Sequence, residues 1–321
     1  MKTENYRVLV TPTSFGRDDP DLKRTLENQV GEVIYNEKGR PLTAAELVER
    51  MGNVDGFIAG LDDISREVIL SGDRLQVIAR YGVGVDNVDL DAAAERGIRV
   101  TNTPGANSGS VAELAVAFML SLARPLIPAA RATREGRWPR LKGISLEDKT
   151  VGLFGFGDIG QETARRLAGF GCRVTAYDIA PDRALADELG VELLTREEVI
   201  SSADFLSLHC SLVPATEGLV DDNFIAKMKP GAFLINTARG EMVDEEALLG
   251  ALTAGKLAGA GLDVFIDQPP DPDHPLLRQD NVLATPHLGA HTDKATRNMG
   301  WGAVENCLAV LKGEEPQNPV N

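Results

Sequence analysis

Cysteine is scarce in this chain of 321 residues, which has only Cys172, Cys210 and Cys307. They are too scattered for a metal knot and give no disulfide framework, which fits a reducing compartment and makes core positions the expectation for all three. Cations are in deficit too. Lys and Arg number 33 against 48 Asp and Glu, a net charge of -15 with a pI near 4.8. So acidic a surface argues against nucleic-acid or anionic-membrane partners, and any anionic ligand has to be gripped by local groups. Long apolar runs are missing as well. No segment reaches the eighteen or so apolar residues of a membrane span, and the opening "MKTENYRVLV" lacks the apolar core of a signal peptide, so the expected location is cytoplasmic.

What is present is alternation. Short β-branched runs are separated by amphipathic helical stretches, the pattern of parallel sheets flanked by helices, and the length suits two domains. The strands of the first hundred residues read "RVLVT", "GEVIYN", "DGFIAG", "LQVIARYG" and "IRVTNT", with helices at "TAAELVERM" and "DLDAAAERG". A second series runs "TVGLFGFG", "CRVTAYD", "VELLT", "DFLSLHC", "AFLINTAR", "LAGAGLDVF" and "NVLATP". The expected class is α/β, with two doubly wound, Rossmann-like parallel-sheet domains. Between the series, Ser110 to Arg124 is apolar on nearly every face; such a helix would expose a hydrophobic side on a monomer, which points to a domain link and a subunit interface, or to a fully buried core helix.

In "GLFGFGDIGQETARRLAGFGCRVTAYD", Gly155, Gly157 and Gly160 have G-x-G-x-x-G spacing directly after an apolar strand and at the start of a helix. Gly155 allows the tight turn, Gly157 a close approach of backbone to pyrophosphate, and Gly160 close helix–strand packing, with the helix N-terminus facing the anion. Asp178 ends the next strand, where a carboxylate hydrogen-bonds an adenosine ribose and repels a 2′-phosphate. NAD is therefore the expected cofactor rather than NADP, although Arg183 lies five positions on.

Three features further along stand at strand ends, where open α/β sheets place ligands. Arg239 in "NTARGEMVDEEAL" has the planar fork that suits a carboxylate, the alternative being a surface ion pair with Glu241 or Glu245. His287 follows Pro286 at the end of the last strand. "GLDVFIDQPPDPDHPLL" carries Asp263, Gln268 and His274, the last a loop-ordering residue. His287 and His291 are four apart, but Gly289 breaks helical geometry between them and no third ligand is evident, so no metal is expected.

Taken together, "RYGVGVDNVDLDAAAERGI", "NTPGAN", "SVAE", "GFGDIG", "LHCSLVPATEGLV", "NTARGEMVDEEAL", "GLDVF" and "TPHLGAHT" resemble the D-isomer-specific 2-hydroxyacid dehydrogenase family over nearly the whole chain, close to its short phosphoglycerate dehydrogenase and hydroxypyruvate reductase branch. The resemblance implies a nucleotide domain at 102–290 inserted into a substrate domain of 1–101 and 291–321, with the active site in the cleft. It implies that Arg239 binds the substrate carboxylate and polarises its carbonyl, and that His287 donates the proton in reduction and accepts it in oxidation. Backbone amides of Val83 and Gly84 help hold the carboxylate, Arg80 matches a basic position for the substrate's distal group, and Ser14 joins the pocket. The cofactor side comprises Gly155, Gly157, Asp158, Ile159, Gly160, Asp178, His209, Pro214, Thr216, Thr237 and Ala238, with Asp263 at the nicotinamide carboxamide and His209 packing rather than reacting. A homodimer is expected, acting on a small carboxylate.

The chain departs from that pattern in two places. Five residues after the aspartate of "LDVF" the family carries a glutamate that pairs with the histidine; here the position is Gln268, with Asp267, Asp271 and Asp273 as nearby carboxylates. Formate dehydrogenases of the same superfamily also have glutamine there and move hydride without a proton, which makes a formate-type reaction one alternative; a corepressor-like NAD sensor is another. "FIAGLDD", with Gly60 and Leu61, lacks a second support for a substrate phosphate, so a hydroxypyruvate, glyoxylate or diacid-type substrate stands level with phosphoglycerate.

Overall fold

A computed structural model describes residues 5–321, and the chain divides into two compact units, one ending at Asn107 and completed by Ala290–Asn321, the other Ser108–Gly289.

The first unit carries strands β1 (Arg7–Val10), β2 (Glu32–Tyr35), β3 (Gly56–Ala59), β4 (Val77–Arg80) and β5 (Arg99–Thr101), all parallel in the order β2-β1-β3-β4-β5. The chain steps outward from β1 to β2 and returns to the other side of β1, so the order reverses between β1 and β3. β3 and β4 are buried at every residue and the edge strand β2 at none, as expected for a sheet covered by helices on both faces. The helix Ala44–Met51 starts on a reciprocal cap between Thr43 and Glu46 and buries Leu47 and Met51, four apart on one face. The helix Asp293–Leu311 packs on β3, β4 and β5.

The second unit carries β6 (Thr150–Phe154), β7 (Arg173–Tyr177), β8 (Glu192–Leu193), β9 (Phe205–Leu208), β10 (Ala232–Asn236), β11 (Leu257–Leu262) and β12 (Val282–Ala284), again all parallel, in the order β12-β11-β10-β9-β6-β7-β8. Every stretch read as a strand from the sequence contains one. Here the order reverses between β6 and β9.

The apolar helix runs from Ser108 to Ala123 and belongs to the core of the second unit. It packs on the helix Asp158–Leu167 and on β10 and β11, where Gly261 leaves the space that the Phe118 ring fills. Val111, Ala115, Phe118 and Met119 are buried while Glu113 and Ala117 stand exposed. Of the expectations for this helix, the core helix is the one these contacts support, while Leu114, Leu120 and Leu122 stay only half-buried. Several exposed apolar side chains follow the helix in the chain, at Leu126, Ile127, Trp138, Leu141 and Ile144. No single helix among the described residues is long and apolar enough to cross a membrane. Of the cysteines only Cys307 is a core residue. Cys172 and Cys210 are half-buried, and burial raises the Cys210 thiol to about 11.

Candidate active site

Open α/β sheets take ligands at the C-terminal ends of the strands that flank a reversal of order, which in the second unit are β6 and β9. β6 passes into the helix Asp158–Leu167 through the glycine loop. Gly155 has φ +108°, and a Cβ there would lie 2.6 Å from the backbone of His209 and Cys210; a Cβ on Gly160 would lie 2.3 Å from the Gly155 carbonyl oxygen. At Gly157 a Cβ would meet nothing within 4 Å. The outer glycines are thus required by the chain's own packing, and the middle one faces space that a diphosphate can enter. Gly157 caps the helix without a side-chain hydrogen bond, so the first N–H groups, including those of Asp158 and Ile159, are presented to an anion.

Asp178, just past β7, accepts from the amide of Phe156 at 2.7 Å through Oδ2 and from that of Ala180 at 2.9 Å through Oδ1. The carboxylate expected at a ribose also pins the glycine loop, and each oxygen keeps a lone pair for a hydroxyl. His209, just past β9, has both ring nitrogens buried without a hydrogen-bond partner, although the residue as a whole is only half-buried, and burial lowers its pKa to about 3. The hydroxyl of Thr237, beyond β10, is buried and unpartnered as well. Orphaned polar atoms beside a phosphate-sized cradle fit a bound dinucleotide that supplies their partners. Thr216 donates to the Ser211 carbonyl at 2.8 Å and accepts from the Val213 amide at 2.9 Å, which ties the turn bearing the exposed Pro214.

Arg239 stands on the turn after β10. Asn236, buried at the end of that strand, donates to the Arg239 carbonyl at 2.7 Å and accepts from the Ala238 amide at 3.0 Å, which closes the turn around its side chain. Gly240 then lies flat on the Phe265–Ile266 peptide: a Cβ would come within 2.2 Å of the Phe265 carbonyl oxygen. The arginine turn and the segment after β11 therefore meet backbone to backbone. Glu245, one alternative partner for Arg239, has its carboxylate committed to His274 and to the Ile266 amide.

His287 has φ +54°, an unfavourable conformation for a residue with a Cβ, and its loop is held in it by Asp263. The Asp263 carbonyl accepts from the His287 amide at 2.9 Å. Its buried carboxylate accepts from the amides of Leu288 at 2.7 Å and Gly289 at 2.8 Å and from the Thr285 hydroxyl at 2.5 Å. Asp263 is thus first an anchor of the histidine loop. Nδ1 of His287 meets Oε1 of Gln268 at 2.8 Å, and Nε2 of the same amide donates to the Phe265 carbonyl at 3.1 Å. That second bond orients the amide with its oxygen toward the ring, so Nδ1 carries a proton and Nε2 is the nitrogen whose proton can be exchanged. Gln268 does stand where the family carboxylate was expected. Asp271 and Asp273 are used within their own loop, on the Asp273 amide and on Arg278.

Ser14, Arg80, Val83 and Gly84 lie in the first unit, Ser14 on the loop after β1, Arg80 at the end of β4 and Val83 and Gly84 on the loop that follows it. Arg80 was expected at the substrate's distal group; instead it is buried, donating to the carbonyls of Ala59 at 2.9 Å, Gly84 at 3.0 Å and Gly60. Its cation staples the ends of β3 and β4. Two of those carbonyls come from the end of β3 and the third from Gly84, four positions on, and their demand for donors decides the direction of the guanidinium. Val83 is fixed through its carbonyl by Asn102 at 2.8 Å. Ser14 donates to the Tyr81 hydroxyl at 3.3 Å, which donates to the Thr296 carbonyl at 2.9 Å; burial raises the Tyr81 pKa to about 12, so it remains a phenol.

Asn236, Thr285 and Tyr81 were not singled out from the sequence, and Glu245 was weighed only as a partner for Arg239. Asn236 alone had a local signal, an asparagine at a strand end before a turn.

Residues 116–289 match the model of the D-isomer specific 2-hydroxyacid dehydrogenase NAD binding domain. The chain is 42% identical to the D-3-phosphoglycerate dehydrogenase of Methanocaldococcus jannaschii over 98% of its own length and 59% of that protein's. It is 41% identical to the hydroxypyruvate reductase of Thermotoga maritima over 89% of its length and 96% of that protein's. A solved structure of a Thermus thermophilus protein superposes with a TM-score of 0.88 at 42% identity, covering 98% of this chain and all of that one. This chain thus spans about three-fifths of the M. jannaschii enzyme's length.

Proposed function

Because the chain belongs to the D-isomer-specific 2-hydroxyacid dehydrogenase family, we propose that it reduces a small 2-oxo acid, or oxidises the matching D-2-hydroxy acid, with NAD(H). When bound, the nicotinamide supplies or accepts the hydride. The residues of the chain do the rest. Arg239 grips the carboxylate through its planar fork and polarises the neighbouring carbonyl; the amides of Val83 and Gly84 support the carboxylate, with Ser14 at the pocket through Tyr81. His287 delivers the proton from Nε2 to the developing alkoxide and takes it back in oxidation. The glycine loop, with Asp158 and Ile159, holds the diphosphate, Asp178 the adenosine ribose, and His209, Pro214, Thr216, Thr237 and Ala238 line the remainder. Asp263 serves the carboxamide as well as the histidine loop. The observation that carries this reading is the Gln268–His287 hydrogen bond, which fixes the tautomer a proton carrier needs.

The burial of Arg80 on three carbonyls favours a substrate with a neutral distal group, hydroxypyruvate or glyoxylate, over a phosphorylated one. Loss of NADH absorbance with a panel of 2-oxo acids tests both points; turnover of the phosphorylated acid alone would reverse the preference. Asp178 favours NAD, and an equal or better kcat/KM with NADP would remove that assignment. The Gln268 amide also supports a second reading, proton-free oxidation of formate, which reduction of NAD by formate in the absence of any 2-oxo acid activity would establish.

We place the protein in the cytoplasm as a homodimer. The exposed apolar residues of 124–144 are interleaved with Arg124, Arg131, Arg134, Arg137, Arg140 and Lys142, a cationic arm on a chain of net charge -15 that a second acidic copy complements. A monomeric mass by light scattering at micromolar concentration would overturn it.

A further inference from the structure

We propose that Glu245 and His274 form a latch that sets the position of Gln268, and through it the hydrogen bond at Nδ1 of His287; this rests on reading His287 as the proton carrier. The segment from Ile266 to Pro269 is exposed, yet Gln268 has to hold its amide on the ring at 2.8 Å. One carboxylate ties the start of the stretch to His274 beyond its end. Glu245 accepts the Ile266 amide at 3.2 Å through Oε1 and meets Nε2 of His274 at 3.0 Å through Oε2. The Leu276 amide donates to Nδ1 of His274 at 3.4 Å, so the neutral ring carries its proton on Nε2 and donates it to Glu245. The same ring stands edge-on to Phe265, with centroids 5.6 Å apart.

The Phe265–Ile266 peptide is the relay. Glu245 holds its N–H, the Gln268 amide bonds its carbonyl, and Gly240 packs against it too closely for any side chain. Tilting this peptide moves the anchor of the Gln268 amide and so the acceptor offered to His287. Glu245 is itself rigid, as the first residue of the helix Glu245–Thr253, capped by Asp244 through the amides of Glu246 and Ala247 at 3.0 Å. Glu245 and His274 touch no reacting atom and are positioning residues.

The chain has four histidines, so single replacements assign every imidazole signal in a nitrogen-15 spectrum. In Glu245→Ala, and in His274→Phe, the Nδ1–H signal of His287 should lose its hydrogen-bonded shift and exchange faster with water. His274→Gln, whose amide still donates to Glu245, should restore it. Where the protein reduces a 2-oxo acid, Glu245→Ala should lower kcat about tenfold with the KM for NADH within about twofold, but change kcat less than about twofold in a Gln268→Ala background, because coupled residues are non-additive. An unchanged His287 signal in folded Glu245→Ala and His274→Phe proteins, or an equal kcat loss in both backgrounds, would overturn the latch. The spectrum decides it even if every 2-oxo acid fails as substrate, an outcome that would instead count against the proposed reaction.

Discussion

Two histidines follow strands at the C-terminal edge of one sheet, and the fold treats them oppositely. His209, after β9, has both nitrogens covered and unpartnered, and burial keeps it neutral with a pKa of about 3. His287, after β12, is held at a left-handed φ by Asp263, with Nδ1 fixed on the Gln268 amide. A strand-end position therefore does not by itself fix a histidine's environment. Burial holds one ring neutral down to about pH 3, while the other has Nδ1 engaged by an amide oxygen, which leaves Nε2 as the nitrogen that can exchange a proton.

The sharpest way to break this contrast is to remove each ring in turn. His287→Asn should lower kcat/KM for 2-oxo acid reduction by about 10²–10⁴-fold, the usual worth of a general acid, and His209→Asn by less than about tenfold. Equal losses in steady-state NADH assays would erase the distinction. Next in size is Arg239→Lys. Lysine keeps the charge without the planar fork, so kcat/KM should fall roughly 100-fold while NADH affinity, read by fluorescence titration, stays within about threefold. Unchanged turnover would place Arg239 outside the site.

A smaller effect tests what fixes the proton on His287. Reduction requires the protonated ring, so kcat/KM falls as pH rises through its titration; a carboxylate beside Nδ1 stabilises the imidazolium. Gln268→Glu should then move the falling limb upward by about one pH unit, equivalent to about 1.4 kcal/mol. Coincident limbs in two active proteins would show that the amide does not set the titration. The smallest expected change concerns His209 and stability. Its folded pKa is depressed to about 3 from 6.5, so the unfolded chain binds the extra proton between those values. This contribution is present in full above pH 6.5 and is lost as pH falls toward 3. The urea midpoint of wild-type protein should therefore decline more steeply from pH 6.5 to 4.5 than that of His209→Asn; parallel declines would mean that the ring protonates in the folded state.

Legibility in the sequence followed the range of the determining contacts. Strands buried on both faces announce themselves by composition, and the glycine loop by a spacing its own backbone demands, since Gly160 meets Gly155 within one turn. Gln268 was placed beside His287 by family alignment, and the amide is there. Where the partner is remote, the reading failed. Arg80 turns inward because residues 59 and 60, together with the nearby Gly84, present carbonyls to it, and no pattern within "ARYGVG" reveals the first two. The helix Ser108–Ala123 was legible as apolar, but periodicity cannot say whose atoms cover it; Gly261 and β10 do. Glu245 and His274 lie 29 positions apart and meet only after the intervening strand has folded.

The seating of Gly240 on the Phe265–Ile266 peptide has a consequence for anyone redesigning this protein. The contact between these two segments is written in main chain, with no rotamer to adjust, so a library that randomises 236–240 or 263–268 disturbs the register of both at once, and side-chain diversity is better placed where no backbone is in such contact.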